Sequence, residues 1–356
     1  MNVLSMIMLG FAVIGALDRI FGNHFGLGTE FERGFYLLGV MGLTMVGMIV
    51  IAPVLSEFMA PIFDAFYTYL GVDPSIIPAS LLANDMGGAA LAKEIGKSSE
   101  IGLFNGLVVS SMMGCTISYT IPFSLSVVNK EDHKELMLGI LYGIITIPVG
   151  CAVVGLVMGI SPVALIINLL PLILFSALIA LGLKFAPSKT VKLFSIIGMI
   201  IKGLITIGLV LGILKELAGI EIVEGLGSIK EGAWICFNAA MVLSGAFPMM
   251  YLISKLIKRP INALGRRLKI NEASAFGLVS TMVTNATTIE KMRDMDKKGI
   301  VINASFLTSA AFTFGGHLAF TSAFDSAYIF PVIGAKLISG FAALVLSIML
   351  YKKAEN

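Results

Sequence analysis

Long apolar runs broken by short polar segments dominate the chain. No Asp, Glu, Lys or Arg occurs in 34–56, 101–129, 136–183 or 232–254. An apolar stretch of about 20 residues is what a membrane-spanning helix requires. The pattern predicts spanning helices over 2–18, 35–57, 101–128, 136–160, 163–183, 192–214, 232–254, 299–323 and 326–350. Ser161-Pro162 marks the turn inside the longest run, since Pro removes a backbone donor and suits a helix start. The stretch 1–17 lacks the basic start of a secretory signal and reads as the first span. Two apolar segments, 74–92 and 273–289, are shorter. They either cross the bilayer or dip in and return.

Loop charge separates these alternatives, because cytoplasmic loops are enriched in Lys and Arg. With both short segments re-entrant and the N-terminus outside, 19 basic residues fall inside, from Arg19 and Arg33 to Lys352 and Lys353. Four fall outside: Lys93, Lys97, Lys215 and Lys230. Lys202 and Lys336 lie within spans. If both short segments cross, the same residues divide 12 to 11. The re-entrant arrangement is favoured, with nine spans, two hairpins and a cytoplasmic C-terminus.

The two halves share this pattern. A span at 35–57, an amphipathic stretch (58–72), a hairpin and two spans are followed later by a span at 232–254, a basic amphipathic stretch (255–270), a hairpin and two spans. Pro53 matches Pro248, Asp73 matches Asn271, Asn84 matches Asn285 and Asn105 matches Asn303. The odd helix at 163–183 flips the second half. The expected organisation is a first repeat over 1–160, a linking helix over 161–190 and a second, inverted repeat over 191–356. Inverted repeats with interrupted helices are a transporter architecture, with the binding site near the midplane. Gly87-Gly88, Gly315-Gly316, Pro122 and Pro148 are candidate helix breaks; ordinary Gly- and Pro-containing membrane helices are the alternative.

Composition agrees with this pattern. Hydrophobic residues make up 57% and charged residues 13%, about half the charge of a soluble domain. The fold class is an all-α polytopic membrane protein. The net charge of +3 says little about partners, and no nucleic-acid partner is expected. Cys115, Cys151 and Cys236 all sit in apolar runs, at no metal-ligand spacing. There is no P-loop, HExxH site or GxSxG elbow. This argues against an ATP-driven pump and against common membrane hydrolases, and no cofactor is expected. A coupling ion and a homo-oligomer are both left open.

Asp85 is the single acidic residue of the segment 74–92. A carboxylate at membrane depth is costly and marks a functional site, with a cation as its natural partner. The alternative is that it caps a half-helix. Asn84 precedes it. The second hairpin carries Thr284-Asn285-Ala286-Thr287-Thr288, suited to hydroxyl recognition through Asn285, Thr287 and Thr288 or to capping its own turn. Thr116 and Tyr119 lie in a hydroxyl-rich stretch ending at Pro122, read as unwound and cavity-lining. Tyr119, Phe312 and Phe314 are candidates for a cation–π wall, with helix packing as the alternative. His317 is a candidate proton relay or an interhelical hydrogen-bond donor. Lys202 and Lys336 are each able to pair with Asp85. Glu57, Asp64, Arg266 and Arg267 read as solvated faces, with 255–270 meeting anionic headgroups. Gly155/Gly159 and Gly208/Gly212 read as helix-packing pairs.

Several segments together resemble the bacterial ethanolamine permease family. They are Leu17-Asp18-Arg19-Ile20-Phe21-Gly22-Asn23-His24-Phe25-Gly26-Leu27-Gly28, the run Met45–Leu55, the hairpin Leu81–Gly88, Gly102-Leu103-Phe104-Asn105-Gly106, and Gly143–Gly150. The likeness is strongest over the first 160 residues. It implies uptake of ethanolamine across the cytoplasmic membrane, feeding a cobalamin-dependent lyase, but it carries over no binding residue. Ethanolamine is mostly protonated at neutral pH, much like a lysine amine (pKa roughly 10.4). Asp85 would face its ammonium, Tyr119 would offer an aromatic face, and Asn285, Thr287 or Thr116 would meet its hydroxyl. The rivals are an ion-coupled carrier of another small polar solute such as an amino acid or nucleoside, a membrane-embedded enzyme, and a channel.

Overall fold

The computed structural model describes residues 3–354 of the 356-residue chain. Positions 1–2 and 355–356, at the ends of the expected repeats, lie outside the described residues. So do the side chains of Lys258, Lys352 and Lys353, which entered the charge count. The described chain is helical, without strands.

Eight helices among the described residues are long and apolar enough to cross a membrane. In chain order the elements are α1 (Val3–Ile20), α2 (Leu27–Leu70), the short helices α3 (Ile76–Leu81) and α4 (Gly88–Ile95), then α5 (Ser99–Val127), α6 (His133–Val157), α7 (Pro162–Phe185) and α8 (Pro187–Ala218). There follow α9 (Ile229–Leu256), α10 (Lys258–Leu268), α11 (Glu272–Thr281), α12 (Asn285–Glu290), α13 (Lys297–Ala310), α14 (Gly316–Phe324) and α15 (Ile329–Ala354).

Exposure is reversed relative to a water-soluble protein. Ile166, Leu174, Leu178, Ile200 and Ile207 are exposed on the outer helices, while Asn84, Asn105, Asn168, Asn285, Asn303 and Lys336 are buried. Such an apolar exterior suits lipid, and polar groups find their partners inside the bundle.

Three sequence expectations change. The span expected over 299–323 is two helices, α13 and α14, separated by a break at 311–315. Phe312 in this break has a left-handed backbone (φ 60°), a conformation that costs a bulky residue energy. Second, Pro148 does not break α6, which runs through it unbroken. Third, the stretch around Thr116 and Tyr119 is not unwound. It is helix widened by π-type turns over Phe104–Gly114 and Thr116–Thr120, and Pro122 opens the ordinary helical turn that follows.

The two ends of each short-helix pair are tied to each other. Asp73 accepts from Ser75 N (3.0 Å) before α3 and from Lys97 N (3.0 Å) and Ser98 N (3.2 Å) after α4. Across α11 and α12, Asn271 N donates to Asp296 Oδ1 (2.9 Å) and Asn271 Nδ2 to Asp294 O (2.8 Å). These bonds satisfy backbone groups that helix ends leave open.

The two hairpin mouths sit at opposite ends of α6. Lys97 and Ser98 line a cavity with Ile160 and Ser161, just past its C-terminus. Lys297, just past the second hairpin, donates to Asp132 (2.6 Å) at its N-terminus. At 1.5 Å per residue the 25 residues of α6 span about 37 Å, enough to cross a hydrocarbon core of about 30 Å.

Candidate functional site

The first hairpin turns at Asn84–Met86 and Gly87. Gly87 has φ 99°, a region that favours glycine. Its tip is strapped to α5: Ser118 Oγ accepts from Ala83 N (3.2 Å), and Ser110 Oγ donates to Leu82 O. Gly114 lets α5 approach, since a Cβ there would stand 2.7 Å from Ala79 O. The second tip pairs with the α13–α14 break: Phe312 N donates to Thr281 O (3.0 Å) and Phe314 N to Met282 O (2.7 Å). Asn285 Nδ2 reaches across to Thr120 of α5 (3.2 Å).

These elements converge on Asp85. Its side chain keeps 28% exposure, and one carboxylate oxygen lies 3.8 Å from His317 Nε2 in the first turn of α14. On the other side of the imidazole, Nδ1 lies 3.1 Å from Lys336 Nζ. Lys336 is fully buried in α15 and also donates to Ser111 O (2.7 Å). When Lys336 is an ammonium it can only donate, which assigns Nδ1 as the acceptor and puts the ring proton on Nε2, facing Asp85. The carboxylate therefore has no lysine in direct contact. Lys202, the other lysine considered for that pairing, is exposed on α8.

Aromatic rings continue the site from His317. Phe312 lies 5.0 Å from the imidazole and 6.0 Å from Tyr119, which stacks on Phe123 at 5.2 Å. Phe314 packs instead beside Met8, Leu318 and Ile329. Asn84 is fully buried, and neither polar atom of its side chain has a protein partner; Asn285 Oδ1 is likewise unpartnered. Buried amides of this kind are normally satisfied.

The remaining candidates divide. Thr116 Oγ1 is within bonding distance of Met112 O (2.7 Å) and Thr308 O (2.9 Å), tying α5 to α13. Thr288 bonds inside its hairpin, to Thr281 Oγ1 (3.0 Å) and Gly277 O (3.1 Å). Thr287 lines a separate cavity of ≈ 160 Å³ with Glu30, Arg33, Tyr251 and Thr284. The sequence offered Lys336 as a partner for Asp85; in the structure it bonds to His317 instead. Asp18, in the loop motif between α1 and α2, is structural: its carboxylate accepts from Phe25 N (3.0 Å), Leu27 N (2.8 Å) and Gly28 N (3.0 Å) at the start of α2. Gly208 packs against α2 and Gly155 against Leu165, but Gly159 is a left-handed turn residue (φ 86°) with open space around it.

Apolar crossings around a polar centre of broken helices define a multi-pass, all-helical membrane protein. The family described as "Ethanolamine utilisation protein, EutH" matches residues 1–350. A protein of Listeria monocytogenes named "Probable ethanolamine permease EutH" is 44% identical over 98% of this chain and 93% of its own length. One of the same name from Escherichia coli is 37% identical over 99% and 96%. A Bacillus subtilis protein, "Uncharacterized protein YxeR", is 37% identical over 96% and 92%. No solved structure matches. The chain belongs to the EutH family.

Proposed function

We propose that this chain is a permease that takes up ethanolamine across the bacterial cytoplasmic membrane by alternating access, without ATP hydrolysis. The N-terminus faces outward, and the two halves are inverted repeats whose re-entrant hairpins meet at the substrate. Support for the repeats comes from the hairpin mouths at opposite ends of α6 and from the matched tethers, Asn105 Nδ2 to Ser75 Oγ (2.9 Å) in one half and Asn303 Nδ2 to Ser274 O (2.8 Å) in the other. The names carried by the relatives support the substrate.

The observation that carries the reading is Asp85, partly open and free of a direct lysine contact, 3.8 Å from His317, whose ring adjoins Phe312 of the Phe312–Tyr119 aromatic pair. An ammonium needs a carboxylate and gains from an aromatic face. The Asn84 amide and Asn285 Oδ1, without protein partners among the described residues, are suited to the substrate hydroxyl. Thr116 and Thr288 hold the scaffold around this centre, and Thr287 lines the separate cavity beside Arg33 and Tyr251.

Uptake of labelled ethanolamine into proteoliposomes tests the proposal. Saturable uptake, competed by close amino-alcohol analogues and not by amino acids or nucleosides, is expected. Uptake equal to that of protein-free vesicles would refute it.

A further inference from the structure

The charges at the centre do not balance once the substrate is present. With Asp85 as carboxylate and Lys336 as ammonium, Nδ1 of His317 is the acceptor and the imidazole is neutral. These groups by themselves then carry no net charge. An arriving ethanolammonium adds a positive charge with no new anion to meet it. The other titratable groups near Lys336 are Cys115 on α5 and Cys151 on α6, and neutral thiols do not compensate a cation. An unbalanced charge inside a membrane protein is strongly disfavoured.

The hydrogen bonds of Lys336 suggest how balance is restored. Its ammonium has three N–H groups, and among the described residues the side chain bonds to Ser111 O at 2.7 Å and His317 Nδ1 at 3.1 Å. A neutral amine has two N–H groups and a lone pair. Losing the proton therefore sacrifices neither bond. A lysine held by one carbonyl and one imidazole, with its carboxylate beyond the ring, is arranged to exist in both forms.

We infer that Lys336 is the proton-binding residue of this carrier, and that one ethanolammonium enters the Asp85 site as one proton leaves Lys336. The step is Lys–NH3⁺ to Lys–NH2 plus H⁺, with the proton passed to water on the open side and no electron transferred. The substrate's charge then replaces the lysine's opposite Asp85. The net movement is that of neutral ethanolamine, so transport is blind to membrane voltage and moves the internal pH. His317 is a positioning residue that holds the amine and separates it from Asp85.

This inference rests on the ethanolamine reading, and the experiment separates the two. Proteoliposomes carrying a luminal pH dye receive labelled ethanolamine under a potassium-diffusion potential of either sign. Absence of saturable uptake by the wild type defeats the substrate reading itself. Given uptake, the inference requires equal rates at both voltages and luminal alkalinisation beyond that of protein-free vesicles, at about one proton per substrate. Voltage-driven uptake without a pH change would overturn it. Lys336→Met, eluting as the wild type on size exclusion, should lose proton exchange, and any remaining uptake should follow voltage. Retention of wild-type exchange would overturn the assignment of the residue. If that variant does not fold, Lys336→Arg, which keeps a charge it cannot release, supplies the same comparison. Mixing purified wild-type protein with ethanolammonium in weak buffer must also release about one proton per bound molecule; no release overturns the exchange irrespective of either variant.

Discussion

Asp85 and Lys336 lie on opposite sides of one imidazole, with Nε2 of His317 3.8 Å from the carboxylate and Nδ1 3.1 Å from the amine. The ring keeps the two charges out of direct contact. Direct pairing would cancel the carboxylate. The observed spacing leaves it without a cationic partner, 28% exposed, beside the imidazole that Phe312 adjoins.

This spacing makes Asp85→Glu informative. One added methylene is enough to close the 3.8 Å gap and form a charge-assisted hydrogen bond, worth about 1.5–3 kcal/mol. Substrate would have to displace it. The KM of uptake should rise about tenfold or more, with protein yield unchanged. An unchanged KM would show that the gap has no role in leaving Asp85 free.

Tyr119 lies 6.0 Å from Phe312 and 5.2 Å from Phe123. Its aromatic face should contribute about 0.5–2 kcal/mol to ammonium binding. Tyr119→Leu should therefore raise KM roughly 2- to 30-fold, whereas Tyr119→Phe should stay near wild type. If Phe were as damaging as Leu, the hydroxyl would be the contributing group.

Gly114 and Gly39 give opposed expectations from the same substitution. A Cβ at Gly114 stands 2.7 Å from Ala79 O, while nothing lies within 4 Å at Gly39. Gly114→Ala should destabilise by about 1–3 kcal/mol, as overpacking does. Gly39→Ala, in α2, should be neutral or slightly stabilising. Thermal unfolding in detergent reads both.

Asp73 closes the first hairpin with bonds to Ser75, Lys97 and Ser98. Asp73→Ala should cost more than about 2 kcal/mol, because buried donors lose a charged acceptor. Lys97→Met removes only the Lys97–Asp64 ion pair, whose side chains are 39% and 57% exposed. It should change stability by less than about 1 kcal/mol. Equal melting shifts for the two variants would contradict this account of the hairpin mouth.

Much of the architecture was legible because lipid imposes a strong pattern. Charge-free runs gave the spans, and the short segments 74–92 and 273–289 emerged as short-helix pairs tied at their ends. The break at 311–315 was less visible. Thr313–His317 is apolar enough to continue a helix, and only Gly315-Gly316 marked it; the interruption is imposed by the second hairpin tip, which takes the amides of Phe312 and Phe314. Pro148 erred the other way, since a single proline is accommodated within a well-packed membrane helix. At the site, Asp85 and His317 stood out as rare ionisable residues in apolar runs. Lys336 stood out equally, but its place beyond His317 depends on the packing of α15 against α5 and α14, and no local spacing encodes that.

The central claim is that Asp85 receives the substrate ammonium. Equilibrium binding of labelled ethanolamine to purified protein, wild type against Asp85→Asn, tests it most directly, with thermal unfolding as the check on folding. The account predicts saturable binding to the wild type and none to the variant at equal stability. Binding to Asp85→Asn with wild-type affinity would contradict it.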